Sequence, residues 1–310
     1  MPDSILTSIL IATLVAGTPL IITALGELVT ETSGVLNLGA EGMMAVGAIA
    51  GFAVAYHSGV PILGTMAGAV AGAAMALLFA VLTLTLMANQ VASGLALSIF
   101  GVGLSAFAGK AYESLSLTPV PPLRIPFFAE LPVVGPVLFG QQSPVYLSWA
   151  LLAGIAWFLY RSRSGLILRA IGESPASAHA IGYPVIRIRY LATLFGGAMA
   201  GVGGAFLSVY TTPFWAEGMV AGRGWIALAL VVFATWRPAR VLIGAYLFGG
   251  VMIAQLFVQA SSAPVEVPSQ VLSSLPYLAT IVVLVVISRN RTTIRLNSPA
   301  SLGQPFRADA

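Results

Sequence analysis

From Gly42 to Gly109 the chain contains no Asp, Glu, Lys or Arg, and its main interruptions are His57, Pro61 and the polar pair Asn89–Gln90. One membrane-crossing helix needs roughly 20 apolar residues, so this stretch has room for about three crossings. The whole chain is 58% hydrophobic and only 8% charged, whereas soluble domains carry roughly 25% charged residues. The sequence therefore predicts an all-α, polytopic integral membrane protein in contact with membrane lipid.

Nine segments are long or apolar enough to be membrane elements, and the count becomes eight to ten when broken or re-entrant pieces are considered. The segments are residues 4–25, 38–56, 62–87, 91–108, 144–160, 191–210, 225–236, 241–258 and 276–288. The seventh segment is short, which favours a partial or broken helix. We expect a single transmembrane domain over residues 1–310.

Arginines indicate the orientation of this domain. They concentrate in the loop 161–190, at Arg237 and Arg240, and in the tail 289–310. By the positive-inside rule these regions are cytoplasmic, and the proline-rich loop 110–143 is extracytoplasmic. Counting crossings back from the loop 161–190 places the N-terminus outside. A re-entrant piece near Gly26–Glu41 would make ten elements and reverse that end.

Glycines recur at a spacing that suits close helix packing. Gly64, Gly68 and Gly72 fall on one helical stripe, and Gly197 with Gly201 repeats the spacing. Small residues let helix backbones approach each other in lipid, so we expect these positions to be helix contacts.

A short helix is predicted within the loop 161–190. Ser174 can cap a helix whose first residue is Pro175, where the missing N–H of proline costs nothing. The helix would run to Ile181 and stop at Gly182. Isolated helices below roughly 12 residues are marginal in water, so this helix needs a partner to dock against. An ordinary connecting loop with a chance helical turn is the alternative.

Residues 169–182 read RAIGESPASAHAIG, and residues 196–205 read GGAMAGVGGA. Both stretches resemble the coupling-helix region of permease subunits of ATP-binding-cassette (ABC) importers, in the superfamily of branched-chain amino-acid, ribose and nucleoside permeases. That loop typically reads G-E-N-P-x-A-A-x-x-x-G, and this chain departs from it by having Ser174 and Ser177. The residues to which the resemblance assigns ATPase coupling are Gly172, Glu173, Ser174, Pro175, Ala176, Ser177, Ala178, His179 and Gly182.

Two further blocks support the resemblance. Residues 31–47 read ETSGVLNLGAEGMMAVG and residues 88–98 read ANQVASGLALS, similar to blocks of the general nucleoside (simple sugar) permease group. The resemblance implies a type II ABC-importer-like permease in the bacterial cytoplasmic (inner) membrane. It also implies a cytoplasmic ABC ATPase subunit, a second homologous permease subunit (a heterodimer in preference to a homodimer) and an extracytoplasmic solute-binding protein.

Five polar residues within or beside apolar segments are candidates for the translocation pathway: Asn37, Glu41, Asn89, Gln90 and Ser93. An ionisable group within a membrane usually faces a cavity or the bundle interior. Amides carry donors and acceptors that suit ring nitrogens, carbonyls and sugar hydroxyls. The alternative for Glu41 is a helix-capping role, and for Asn89 it is a tight turn between helices.

The backbone around the first two candidates has two interpretations. Asn37 and Glu41 would share a helical face if their segment were helical. Gly34, Gly39 and Gly42 instead favour a broken or re-entrant backbone, which is tolerated only where it lines protein or water.

Several classes of function are disfavoured. The chain has no cysteine, and its two histidines, His57 and His179, show no metal-ligand spacing. Lys110 does not complete a G-x-x-x-x-G-K-[ST] loop, so ATP chemistry is expected on another chain. We therefore expect no cofactor and no catalytic residues. Nucleic-acid binding is not expected either, because the arginines separate by loop instead of forming a patch.

The sequence thus predicts the transmembrane subunit of an importer for a small neutral solute. The resemblance favours a nucleoside or nucleobase-like compound, then a monosaccharide, then a branched-chain amino acid. The rival hypothesis is a secondary transporter in which Glu41 carries a coupled ion. No two-half repeat of the kind that would support it is evident.

Overall fold

The computed structural model describes residues 5–123, 126–129, 131–132, 134–260, eight positions between 271 and 285, and residues 297–307. These residues form α-helices and no β-strand. The helices are α1 (Ile5–Thr32), α2 (Ala40–Ser58), α3 (Pro61–Ala80), α4 (Gln90–Gly109), α5 (Ser143–Arg161), α6 (Arg163–Glu173), α7 (Pro175–Ala180), α8 (Val185–Phe206), α9 (Arg223–Phe233) and α10 (Pro238–Ala260). π-Helical turns extend α3 over Val81–Thr85 and α8 over Leu207–Thr211.

Six of the described helices are long and apolar enough to cross a membrane, which confirms the predicted polytopic, all-helical architecture. They are Ile5–Thr32, Pro61–Thr85, Gln90–Tyr112, Ser143–Arg161, Val185–Thr211 and Pro238–Gln259. The seventh predicted segment corresponds to α9, which has only 11 residues. The predicted total of about nine is not reached among these helices, and the ninth predicted segment, 276–288, lies mostly outside the described residues.

The first helix is longer than predicted. Hydropathy placed its end at residue 25, but α1 continues to Thr32 and carries Glu27 and Glu31 into the interior, at 0% and 2% exposure. Each carboxylate has one hydrogen-bond partner there, Asn37 Nδ2 for Glu27 Oε1 and Trp236 Nε1 for Glu31 Oε2, while Glu27 Oε2 has no partner among the described residues. The non-helical backbone predicted near this point is confined to residues 33–39, which return into the bundle beside α1.

Helix α8 occupies the centre of the bundle and packs against α1, α2 and α3. Its contacts with α3 are made through the two predicted glycine stripes. A Cβ atom built on Gly201 would lie 2.0 Å from the carbonyl oxygen of Gly68, and one on Gly197 would lie 2.6 Å from that of Gly72. The two backbones therefore touch directly, as the spacing of the glycines predicted.

The bundle has two distinct ends. Helices α1, α5 and α9 finish, and α8 and α10 begin, at the end that also carries α6 and α7. Trp236 Nε1 donates to Glu31 Oε2 over 2.7 Å, and Arg189 Nε donates to the Ser33 carbonyl over 3.0 Å, which joins these elements. We call this the arginine-rich end. At the opposite end, His57 of α2 hydrogen-bonds to Tyr112, just beyond α4, and the side chain of Gln142, the N-cap of α5, donates to the Tyr210 carbonyl in the π-helical extension of α8.

Candidate translocation and coupling site

Glu41 lies in the first turn of α2 and is only 7% exposed. Its Oε1 accepts a hydrogen bond from the Gly222 amide at 2.8 Å, and its Oε2 accepts one from the Gly224 amide at 2.7 Å. These amides open α9, where a carboxylate complements the unpaired N–H groups and the helix dipole. Glu41 therefore caps a helix, but the helix is α9 and not its own.

The length of α9 indicates how deep this contact lies. The helix has 11 residues, so at 1.5 Å per residue it places Glu41 about 16 Å from the arginine-rich end. A short helix that starts inside a bundle leaves its first amides without water. A buried carboxylate satisfies them, and charge-assisted bonds of this kind are the stronger ones.

A cavity of about 220 Å³ opens beside Glu41. Its walls come from α2, from the outer half of α4 and from the segment 216–221 that precedes α9. Besides Glu41, the polar side chain in the described lining is that of Ser105, whose Oγ donates to the Ala45 carbonyl at 2.9 Å. Most of the remaining lining is small and apolar: Ala45, Ala48, Val102, Ala106, Ala216, Gly218, Met219, Val220 and Ala221.

A larger cavity, of about 690 Å³, lies between α5, α6 and α8. Ser164 is the only residue with a polar side chain in its described lining, and the rest is apolar. Such walls suit hydrocarbon, because a hydroxyl-rich solute would leave its polar groups unpaired there. Cavity volume alone therefore does not identify the solute pathway. The smaller cavity offers the carboxylate of Glu41 and the hydroxyl of Ser105, which suit a polar solute better.

Asn37 is fully buried in the segment 33–39. Its Nδ2 donates to Glu27 Oε1 at 2.8 Å, and its Oδ1 accepts from the Gly39 amide at 2.9 Å. Because this segment is not helical, Asn37 and Glu41 do not share a helical face. Asn37 instead fastens the returning backbone to α1, directly before the turn that carries Glu41.

The other three candidates lie at the arginine-rich end of α4. Asn89 is exposed and caps α4, since its Oδ1 accepts from the Ala92 amide at 3.0 Å. Gln90 is 4% exposed and accepts from the Leu36 amide at 2.8 Å. Ser93 is half-buried one turn further on. Ser105 in the cavity wall is about 18 Å along α4 from Ser93, so the structure does not bring these residues together with Glu41.

Most of the cavity residues could not be predicted from the sequence. Ser105 is a polar residue in an apolar helix, which is a usable signal. The segment 216–221 reads AEGMVA, and nothing in its composition shows that it turns into the bundle. Its role in the cavity wall depends on α9 being a half-length helix.

The predicted short helix is present as α7. Ser174 is its N-cap and accepts from the Ser177 amide at 3.3 Å, Pro175 is its first residue, and Gly182 beyond it has a φ of +93°. The helix ends at Ala180, one residue earlier than predicted. The chance-turn alternative is thus overruled by a capped helix.

Helix α7 is attached through one buried side chain. Ala178 is 3% exposed and packs with Ile171 and Val185, whereas Ser177 and His179 are exposed and Ile181 is 73% exposed. The remaining residues assigned by resemblance, Glu173 and Ala176, are also exposed.

Gly172 joins the coupling region to the bundle. A Cβ atom at this position would lie 2.1 Å from the carbonyl oxygen of Thr32, so the end of α6 rests on the end of α1. Only glycine allows that approach. The end of α6 is therefore in direct contact with the point where α1 ends and the segment 33–39 begins.

This chain matches a known family of membrane transport proteins over most of its length. The family model described as the permease component of the branched-chain amino acid transport system matches residues 9–287. The chain belongs to this family of ABC transporter permeases, which confirms the resemblance drawn from the sequence motifs. It is a multi-pass protein of the inner membrane.

Several curated relatives match over nearly their full length. The putative glucose ABC transporter permease protein TsgC13 of Haloferax volcanii is 40% identical, over 95% of this chain and 96% of its own. The guanosine ABC transporter permease protein NupQ of Bacillus subtilis is 32% identical, over 90% and 92%. The nucleoside ABC transporter permease protein NupC of Lactococcus lactis is 32% identical, over 87% and 89%. The chain is thus an ABC permease of the sugar or nucleoside type.

Proposed function

We propose that this chain forms the translocation pathway of an ABC importer for a small neutral solute, with a nucleoside as the first candidate. The observation that carries the proposal is the geometry of α7. This capped, exposed helix is held to the bundle by Ala178, and α6 beside it touches α1 through Gly172. A helix too short to be stable alone is suited to being held and moved by a partner.

The orientation follows from the charges, and the partners follow from membership of the ABC permease family. The arginine-rich end faces the cytoplasm by the positive-inside rule, so a separate ABC ATPase meets α7 there. ATP hydrolysis takes place on that partner. A second, related permease completes the pathway, and a solute-binding protein delivers the solute to the loop 110–143 at the other end.

The coupling path can be traced through contacts. Closure of the ATPase pair would displace α7 and α6, and Gly172 would transmit the movement to the end of α1 at Thr32. The Asn37–Glu27 hydrogen bond ties the next segment to α1. That segment leads into Glu41. The hydrogen bonds of Glu41 to the first amides of α9 would shorten or lengthen as the cavity opens to one side of the membrane or to the other.

The walls of the Glu41 cavity favour a solute without charge. Among its described lining residues the one charged side chain is Glu41, whose carboxylate would repel the carboxylate of an amino acid. Both oxygens of Glu41 are already engaged by amides, which argues against an ion carrier. Relatives named for guanosine, nucleosides and glucose leave nucleosides first and monosaccharides second.

Changing Gly182 to alanine should uncouple ATP hydrolysis from uptake. Its φ of +93° costs a side chain about 1 kcal/mol, which is enough to disturb the end of a six-residue helix. Gly59→Ala is the matched control, because Gly59 also has positive φ and open space around it but lies at the opposite end. We expect a several-fold fall in solute transported per ATP for Gly182→Ala only. Equal ratios in the two variants would contradict the coupling role.

The solute class can be tested by competition. Cells that express the complete transporter should accumulate labelled guanosine or another nucleoside, and unlabelled nucleosides should compete better than glucose, with leucine ineffective. Uptake should stop when ATP is depleted and persist when ion gradients are collapsed. Better competition by glucose would move the assignment to a sugar, and loss of uptake with the gradient alone would favour a secondary transporter.

A further inference from the structure

The C-terminal tail, residues 297–307, packs against the coupling region. The amide and the Oγ of Ser301 both donate to the carbonyl of Gly172, over 2.9 Å and 2.7 Å. Two residues on, the Gly303 amide donates to the Gly34 carbonyl over 3.1 Å. The tail therefore bridges the end of α6 and the segment that follows α1.

Arg189 fastens this junction from α8. It is 1% exposed, and its guanidinium donates to the Ser33 carbonyl at 3.0 Å, to the Gln304 carbonyl at 3.2 Å and to Ser301 Oγ at 3.0 Å. A buried cation is costly unless its donors are satisfied, and two of these three acceptors belong to the tail. The tail is thus needed to satisfy a charge at the start of the central helix.

Phe306 extends the contact to the coupling helix. Its ring lies 5.7 Å from the ring of His179 on α7, in an edge-to-face arrangement. It also packs against the cluster formed by Ile171, Ala178 and Val185, which is the cluster that attaches α7 to its neighbours. Ala178 is the only buried residue of α7, so the tail adds substantially to the attachment of this helix.

We propose that residues 297–307 act as a tail brace, a positioning element that transmits movement of α7 to the end of α1. Without the brace, a push on α7 would be absorbed by rotation about its single buried alanine. With it, α7, α6, α8 and the segment 33–39 move as one body. The proposal rests on the proposed ABC-importer function and deepens it, because it assigns part of the coupling to a segment outside the coupling-helix motif.

The test uses the complete transporter, purified with both permeases and the ATPase and supplied with its solute-binding protein. The measured quantity is the ratio of ATP hydrolysis with loaded binding protein to hydrolysis without it. Removal of residues 299–310 should lower this ratio about tenfold, within the range typical of coupling between sites. Phe306→Ala should lower it by a smaller factor. Hydrolysis without binding protein and retention of the ATPase should not change.

Gln304→Ala is the matched control. Its side chain is exposed, while the backbone carbonyl that accepts from Arg189 remains in place. Removal of residues 308–310 is a second control. Both should keep the wild-type ratio.

Because this chain has no cysteine, a cross-link can be placed without background from the chain itself. In the double variant His179→Cys with Phe306→Cys, the ratio should fall, and a short thiol cross-linker should restore it by tying the tail to α7. A contribution to stability alone would instead lower hydrolysis without binding protein and retention of the ATPase together with the ratio.

Three results would overturn the tail brace. They are an unchanged ratio in both the truncation and Phe306→Ala, loss of the ATPase from the truncated complex, and failure of an established cross-link to restore the ratio. Loss of the ATPase would assign the tail to assembly. If instead the wild-type complex showed no stimulation by loaded binding protein, the proposed function itself would fail, which is a separate outcome.

Discussion

Replacing Gly201 with alanine is expected to lower the stability of the permease by about 3 kcal/mol, the upper part of the range for overpacking a filled interior. The added Cβ would lie 2.0 Å from the carbonyl oxygen of Gly68, which is backbone and cannot rotate away. Helix α8 also cannot move away from α3, because it packs closely against α2 on another side. A Cβ on its next-turn neighbour Gly204 would already lie 1.9 Å from the carbonyl oxygen of Met44 on α2.

The measurement is the midpoint of thermal unfolding of the purified permease in detergent, together with the yield of monodisperse protein. Gly103→Ala is the matched control, since Gly103 lies in a membrane-length helix with no atom within 4 Å of an added Cβ. The control should unfold at the wild-type temperature. If Gly201→Ala did the same, α3 and α8 would not be in backbone contact.

Replacing Glu41 with glutamine is expected to reduce uptake at least tenfold without dissociating the transporter. The side chain keeps its size, but one of the amides of Gly222 and Gly224 would then face an NH₂ group instead of an oxygen. A charge-assisted hydrogen bond lost at a buried donor costs about 2 kcal/mol, which changes a ratio of two conformers about thirtyfold. The population of the conformer in which Glu41 caps α9 would fall by about that factor.

Initial uptake rates in proteoliposomes measure this effect, with the amount of assembled complex determined in parallel. Glu217→Gln removes an exposed carboxylate from the same segment that precedes α9 and should leave uptake unchanged. Glu41→Asp should be intermediate, because the shorter side chain keeps its charge but cannot reach both amides. Full activity in Glu41→Gln would remove this contact from the transport cycle.

Local chemistry made several elements predictable. The capped start of α7 follows from Ser174 and Pro175, and its termination follows from Gly182, because all three effects act within a few residues. The end of α1 was misjudged for the opposite reason. A hydropathy profile ends the apolar run before Glu27, and nothing in the local sequence shows that this carboxylate is buried and bonded to Asn37.

In the candidate site, too, one part could be predicted from the sequence and another part could not. Glu41 stood out as an ionisable residue at the edge of an apolar segment, and that was enough to select it. Its partners could not be inferred, since the amides it caps lie 181 and 183 residues away. Asn89, Gln90 and Ser93 were selected by polarity alone, and polarity does not distinguish a helix cap from a cavity wall.

Composition and local pattern determined that this chain is a polytopic helical membrane protein. They also determined where the short helix α7 begins and which glycines lie at helix contacts. These properties depend on burial of apolar surface, on capping and on steric room, all of which act over a few residues. The cavity at Glu41 and the docking of the tail on Arg189, 112 residues from Ser301, depend on where the chain places distant backbone amides and carbonyls. Every residue carries such groups, so the sequence does not mark which of them will meet, and only packing of the helices decides it.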